Sequence, residues 1–364
     1  MSTTLAAPFM KRSFRPLLVM LALLSAGCQR RTNIVLIPSD STTVVARDSA
    51  SIELRQAQEL WEGGADLDHA AAATAKLLEH EFTGRTPEEW QARASYLLDS
   101  LGVGAEYAES NGMFAANFFS RSDPEGGSWP YLFWSTKDGV VSQPLDAKNL
   151  HLQTLVTVRA NGAALADTAR IVAATFNRRS PGGLQPLAMA WALPPRGRPR
   201  LVQTLGADSL GGYGTAELES AADTGAVLSA RTYRTPKGFI ECATCPHAYT
   251  MTHFRLTPQG FTRSDYELVP SPYATFAAFI AALGRGDHIA AEALVSEPTL
   301  VVTAQGLGWS ATKGGGWRPA PGTDESPLDM RFFRGQNDAY IVHFRQQGEG
   351  WVITGWDPAA RTLE

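Results

Sequence analysis

Tyr131-Leu132-Phe133-Trp134-Ser135-Thr136-Lys137-Asp138-Gly139-Val140-Val141 is a pair of apolar runs joined by a short polar turn. Lys137-Asp138-Gly139 supplies the acidic residue and the glycine that tight hairpin turns favour, so the stretch reads as two antiparallel strands. The same rhythm continues outward. Leu152, Thr154, Val156 and Val158 alternate with polar positions and lead to Asn161-Gly162, a second turn pair. Apolar runs follow at 170–176, 187–193, 201–205, 227–233, 239–241 and 248–256, and 261–269 closes the series. No helical crossover separates these runs, which argues against a parallel sheet. Residues 113–270 are therefore expected to form an antiparallel β-rich domain, as a sandwich, an open barrel or a partial propeller.

On the N-terminal side the period is helical. Ile52, Leu54, Ala57, Leu60 and Trp61 recur at helical spacing until Gly63-Gly64, and an alanine-rich helix is expected from Asp66 through Leu78. Thr86-Pro87-Glu88-Glu89 marks a third start, with a hydroxyl N-cap, proline in the first turn and glutamate at the capping-box position. Trp90, Ala94, Leu97, Leu98 and Leu101 form its apolar face, and Gly102 is its natural C-terminal cap. Residues 49–112 are thus expected to be a helical segment.

Beyond residue 270, Ser271-Pro272 opens a helix with Phe276, Phe279, Ile280 and Leu283 on one face. Gly284 is expected to end it, and a second helix to cover 288–295. Strands are expected at 329–333, 340–344 and 351–354. Helices followed by an antiparallel sheet ending in Trp351-Val352-Ile353 resemble the NTF2-like α+β cone in element order and length. The resemblance covers residues 271–364 and implies a small α+β domain, which makes the whole chain α+β. NTF2-like units serve both as enzymes and as binding modules, so the resemblance leaves activity open.

The first 28 residues carry an address. Lys11, Arg12 and Arg15 precede the apolar run 16–24, and the small residues Ser25-Ala26-Gly27 precede Cys28, the plan of a secretory signal peptide. The run is shorter than the roughly 18 apolar residues that span a bilayer. Leu24-Ser25-Ala26-Gly27-Cys28 resembles the lipobox of bacterial lipoproteins, with Ser25 where that family most often has Leu, Val or Ile. The resemblance implies removal of residues 1–27, acylation of Cys28 and attachment to membrane lipid. Several acyl chains, each contributing about 0.8 kcal/mol per buried methylene, give lasting anchorage. Gln29 follows the cysteine where Asp would resemble an inner-membrane retention signal, which favours the periplasmic face of the outer membrane in bacteria with two membranes. Residues 28–48, polar and poor in aromatics, read as a tether.

Of 364 residues, 44% are hydrophobic, enough for several cores. Loss of Lys11, Arg12 and Arg15 with the signal takes the formal charge from −4 to −7. An acidic chain whose basic run Arg196, Arg198, Arg200 is interleaved with Pro and Gly is unsuited to nucleic acid.

With Cys28 lipidated, Cys242 and Cys245 remain. In an oxidising compartment they read as a disulfide closing a tight turn, which contributes about 2 kcal/mol or less. A redox role requires a helix after the pair, and none is expected. Cys242, Cys245, His247 and His253 form an alternative set of zinc ligands, although His247 follows Cys245 too closely for an easy shared shell. No cofactor is expected. Ser310-Ala311-Thr312-Lys313 spells S-x-x-K, but Gly314-Gly315-Gly316 breaks the helix that chemistry needs. Asp208-Ser209-Leu210-Gly211-Gly212-Tyr213-Gly214, with Glu217 and Glu219 beyond it, reads as a positive-φ turn more readily than as a calcium loop. Arg285-Gly286-Asp287 reads as a helix stop and N-cap. The seven histidines are dispersed, and His343 is expected in the core. Trp309 and Trp317 flank a glycine-rich loop, with core packing the expectation and an aromatic platform the alternative. These features together suggest a membrane-anchored envelope lipoprotein that binds or scaffolds an envelope protein or glycan. The alternative is an envelope hydrolase whose site is assembled from dispersed Asp, Glu and His.

Overall fold

Apolar residues on both faces of the first two β-sheets set the layering of the molecule. The computed structural model describes residues 41–124, 126–159, 170–194, 197–221, 225–310, 316–321, 328–335 and 338–359. Helices α1 (Ser41–Gly63), α2 (Leu67–Phe82) and α3 (Pro87–Leu101) come first. A four-stranded sheet follows, of β1 (Val103–Ser110), β2 (Met113–Ser120), β3 (Ser128–Thr136) and β4 (Gly139–Pro144). The second sheet holds β5 (His151–Arg159), β6 (Arg170–Ser180), β7 (Gly183–Leu193) and β8 (Arg200–Leu205). After the short α4 (Ala207–Leu210) comes the third, of β9 (Tyr213–Ala221), β10 (Gly225–Tyr233), β11 (Tyr249–Thr257) and β12 (Gly260–Leu268). Helices α5 (Pro272–Arg285), α6 (His288–Glu292) and α7 (Thr299–Gly306) lead to the fourth. Its strands are β13 (Trp317–Pro319), β14 (Asp329–Arg334), β15 (Asp338–Gln347) and β16 (Gly350–Pro358).

Every sheet is an antiparallel meander in chain order, and none closes into a barrel. The opening hairpin pairs as read, with Thr136 opposite Gly139 and Trp134 opposite Val141. Phe114, Ala116, Phe118 and Phe133 face the helices, where Phe82 stacks on Trp90 with ring centroids 5.0 Å apart. Met113, Ala115, Leu132 and Trp134 face the other way, onto Val172, Ala174, Phe176, Met189 and Trp191 of the second sheet. That sheet's opposite face, with Ile171, Ala173, Ala188 and Ala190, packs on Ala216, Leu218, Leu228, Ala230 and Phe254 of the third. Residues 113–119 of β2, apart from Asn117, and 171–176 of β6, apart from Thr175, are apolar because both faces of these strands are covered. β10, with one open face, alternates buried and half-buried residues. A separate core joins α5 to the fourth sheet around Phe276, Phe279, Trp309, Phe332 and Ile353.

Local signals behave as read at α3: the Thr86 N–H donates to Glu89 Oε2 at 2.9 Å, and Gly102 takes φ +69. Elsewhere the boundaries move. Residues 103–110, expected to be helical, are strand β1, because the left-handed Gly102 ends α3 and Val103 starts pairing with Ser120. Residues 41–48, expected as tether, are helical: no Gly or Pro interrupts the chain from Ser41 to Glu62. α2 runs on to Phe82, whose ring fills the helix–sheet core. α5 passes through Gly284 and stops at Gly286 (φ +69), and α6 ends at Glu292. Residues 239–241 form an isolated bridge, Phe239 to Trp317, instead of a strand. β9, β13 and α7 were not foreseen. The signal peptide, Cys28, residues 29–40 of the tether and Asn161-Gly162 lie outside the described residues. Residues 46–364 form one compact unit; of the other unit, residues 1–45, only the start of α1 is described.

Candidate functional site

The loop between β10 and β11 holds the two cysteines. Cys242 and Cys245 lie at disulfide distance with Cα atoms 5.1 Å apart, and the Cys245 N–H donates to the Cys242 carbonyl at 3.0 Å. No helix follows the pair. Phe239, just before it, sits edge-on to Tyr273 and Phe276 of α5. The Ile240 N–H donates to the Trp317 carbonyl, and the Trp317 N–H to that of Gly238, both at 2.8 Å.

Between these contacts lies a buried acid. The Glu241 side chain is 2% exposed and accepts hydrogen bonds from the Tyr273 hydroxyl, His247 Nδ1 at 3.0 Å and Thr235 Oγ1 at 3.2 Å. Facing a carboxylate, Nδ1 of His247 is the donor of their hydrogen bond, and Nε2 lies on the far side of the ring. The His247 ring, 4% exposed, stacks on Tyr233 at 3.5 Å, and its Nε2 has no partner among the described residues. Burial, then the charge of Glu241, pushes the Tyr273 hydroxyl pKa upward, which keeps it a donor. Burial also pushes Tyr233 up to about 12. The arrangement is an oriented acid–imidazole pair closed in by rings, and it fastens the loop to α5.

The zinc alternative is not assembled. His247 is turned to Glu241, and His253 Nδ1 lies 3.0 Å from Ser229 Oγ. Among the described residues no three His, Cys, Asp or Glu side chains converge on a metal position. Two other histidines have carboxylate partners that sequence order concealed. His151 Nδ1 lies 2.8 Å from Glu106, which also accepts from the Leu152 N–H and Asn117 and so ties β1 to β5. His343, expected in the core, is instead 34% exposed on the fourth sheet between Asp329 (2.6 Å) and Asp357 (3.1 Å). Hydrogen bonding to Asp329 is the largest effect and raises its pKa above 6.5 against the opposing effect of burial, with Asp357 adding to the rise.

The remaining motifs resolve locally. Gly211, Gly212 and Gly214 all have positive φ around the end of α4. Gly286 stops α5, and Asp287 caps α6 by accepting from the Ala290 N–H at 3.1 Å. Trp309 and Trp317 are buried 5.0 Å apart in the C-terminal core and make no platform. Ser310 is described, whereas Ala311, Thr312 and Lys313 are not.

Two concavities among the described residues each measure about 190 Å³. One is lined by Asp68, Trp129, Pro130, Tyr131, Pro144, Leu145 and Lys148. Its polar groups satisfy each other: Asp68 accepts from Lys148 Nζ at 2.7 Å and Trp129 Nε1 at 2.5 Å, and these bonds lower its pKa. The other groove runs between β5 and β9, each the terminal strand of its sheet. Gln153 and Thr154 of β5, Asn177 of β6, and Thr215, Glu217 and Glu219 of β9 line it. Asn177 is only 7% exposed, and its Oδ1 has no hydrogen-bond partner among the described residues. A buried acceptor left without a donor costs about 1–3 kcal/mol. Sequence reasoning passed over Gln153 and Asn177; the available signal was Asn177 ending the apolar part of β6. No protein-family model matches the chain, and a search of curated proteins returned no match.

Proposed function

We propose that this protein is a lipid-anchored binding module of a bacterial cell envelope. Its address rests on the lipobox-like Leu24–Cys28, which implies an acylated Cys28 in membrane lipid on the periplasmic side. The body is read as a partial propeller of three blade-like meanders, because β1 lies against β5 and β5 against β9, so the leading strands are neighbours. The C-terminal helices and sheet are read as an NTF2-like unit held to that body by the Cys242–Cys245 loop. The observation that carries the binding assignment is the groove of about 190 Å³ between β5 and β9, whose lining is largely polar: Gln153, Thr154, Asn177, Thr215, Glu217 and Glu219.

Two measurements test this. Metabolic labelling with a palmitate analogue should mark the protein, and Cys28→Ser should abolish the label and release the body from membranes; an unchanged label sinks the anchor. Thermal shift of the purified protein against monosaccharides, amino acids and short peptides should find a ligand whose effect disappears in Asn177→Ala. Turnover of a panel member, abolished by His247→Gln, would replace this reading with that of a hydrolase using the Glu241–His247 pair.

A further inference from the structure

We infer that the Cys242–Cys245 pair is a thiol-switched latch: a dithiol reductant opens it and loosens the C-terminal unit, α5 to β16, from the third sheet, and reoxidation fastens it again. Access comes first. Cys242 is exposed, Ala243 and Thr244 after it are exposed too, and Cys245 is half-buried. Exposed disulfides are the labile ones, because an attacking thiolate reaches the sulfur without unfolding of the chain. The second feature is size. The two cysteines are three positions apart and belong to neither neighbouring core, so their crosslink constrains the loop far more than the fold. Position is the third. The links from this loop to α5 and β13 all come from residues 238–241, immediately before Cys242. Phe239 packs on Tyr273 and Phe276, Ile240 and Gly238 bond to the Trp317 backbone, and Glu241 accepts from the Tyr273 hydroxyl. His247, two residues beyond Cys245, donates to the same Glu241 at 3.0 Å. The disulfide therefore shortens the free chain between the two partners of the buried acid–imidazole pair. Once reduced, the turn keeps the single hydrogen bond from the Cys245 N–H to the Cys242 carbonyl.

In this exchange the pair is the substrate and not the catalyst, since no helix follows Cys245 to lower a thiol pKa. A thiolate of the reductant attacks the exposed Cys242 Sγ, forms a mixed disulfide and expels Cys245 as a thiolate, which takes up a proton. The reductant's second thiolate attacks its own sulfur in the mixed disulfide and frees Cys242, which is protonated in turn. Two electrons and two protons reach the pair, and the reductant leaves as a disulfide.

The test uses full-length, detergent-purified protein titrated with dithiothreitol, with thiols counted by alkylation mass spectrometry and backbone hydrogen exchange compared between the two states. Both thiols should appear while circular dichroism still reports the native fold. Exchange should accelerate at 238–247 and at Trp317 by up to about twentyfold, the freedom regained when so short a loop is released. Exchange in β2 and β6 should stay as it was. Cys242→Ser/Cys245→Ser should exchange like the reduced protein with or without dithiothreitol, and oxidised glutathione should restore slow exchange in the parent protein alone. Unaltered exchange at 238–247 and Trp317 after reduction, or in the double variant, overturns the latch. Reduction that requires denaturant, or that unfolds the whole chain, overturns it as well, because the disulfide is then a structural staple. Thiols already free in air-oxidised protein do the same.

Discussion

At the residue scale, the buried Glu241 shows how a charge is tolerated in a dry place: three donors converge on it. Replacing it by glutamine preserves the shape but leaves one oxygen for three donors and turns an NH₂ toward them. Glu241→Gln is expected to destabilise the protein by about 1–3 kcal/mol in urea unfolding, because buried donors lose their partner. His343 is the opposite case, a half-exposed ring between two carboxylates. Its pKa is raised in the folded state. Its stabilising contribution is then complete below its unfolded value of about 6.5 and is lost as pH climbs through the folded value. The stability gap between the protein and His343→Gln should therefore be widest near pH 5.5 and close toward about pH 8.5, measured by urea midpoints in matched buffers. An equal gap at both values would show that the pairs with Asp329 and Asp357 contribute nothing.

At the scale of elements, β9 carries half of the groove and depends on glycines at its start. Gly214 has φ +141, and a Cβ there would sit 2.1 Å from the Arg231 carbonyl oxygen across the β9–β10 ladder. Backbone cannot yield as a side chain tip does, so Gly214→Ala is expected to cost about 1–3 kcal/mol or more and to lower the melting temperature clearly. Gly206→Ala, where a Cβ meets no atom within 4 Å, should change stability by no more than about 0.5 kcal/mol. The same strand shows where sequence reading ends. α3 was legible because its caps are local: Thr86, Glu89 and Gly102 act within the helix they delimit. β6 was legible as a long apolar run, whereas β2, with Asn117 in its middle, was not singled out. β9 has only Ala216 and Leu218 toward the core, alternating with glutamates, after a glycine-rich turn. α7 was missed because Leu300, Val301 and Val302 form a run without a stripe. The groove was less legible still. Gln153, Asn177 and Glu217 line one groove only because β5, β6 and β9 come together, and no local pattern encodes that meeting. Likewise the acid partner of His247 was close in sequence, yet Tyr273, which completes the network, comes from α5.

At the scale of the whole molecule, helices and three sheets stack so that each interior sheet is covered twice, and alanines at 115, 173, 174, 188 and 190 let the layers approach. The C-terminal core around Trp309 and Phe332 is built on its own residues. What joins it to the third sheet is the loop carrying Phe239, Ile240 and Glu241, closed behind by Cys242 and Cys245. Such a joint is narrow, and a narrow joint sets whether two cores melt together. Phe239→Ala removes the ring that fills the C-terminal core and should cost about 3–5 kcal/mol there. The loss falls on the contact between the cores more than on either interior, so the variant, with its thiols reduced, should lose cooperativity as well as stability. Scanning calorimetry is expected to show one transition for the parent protein and two for reduced Phe239→Ala, with the earlier one belonging to residues 271–359. A single transition merely shifted to lower temperature would mean that the cores are coupled elsewhere, and that the loop is not their joint.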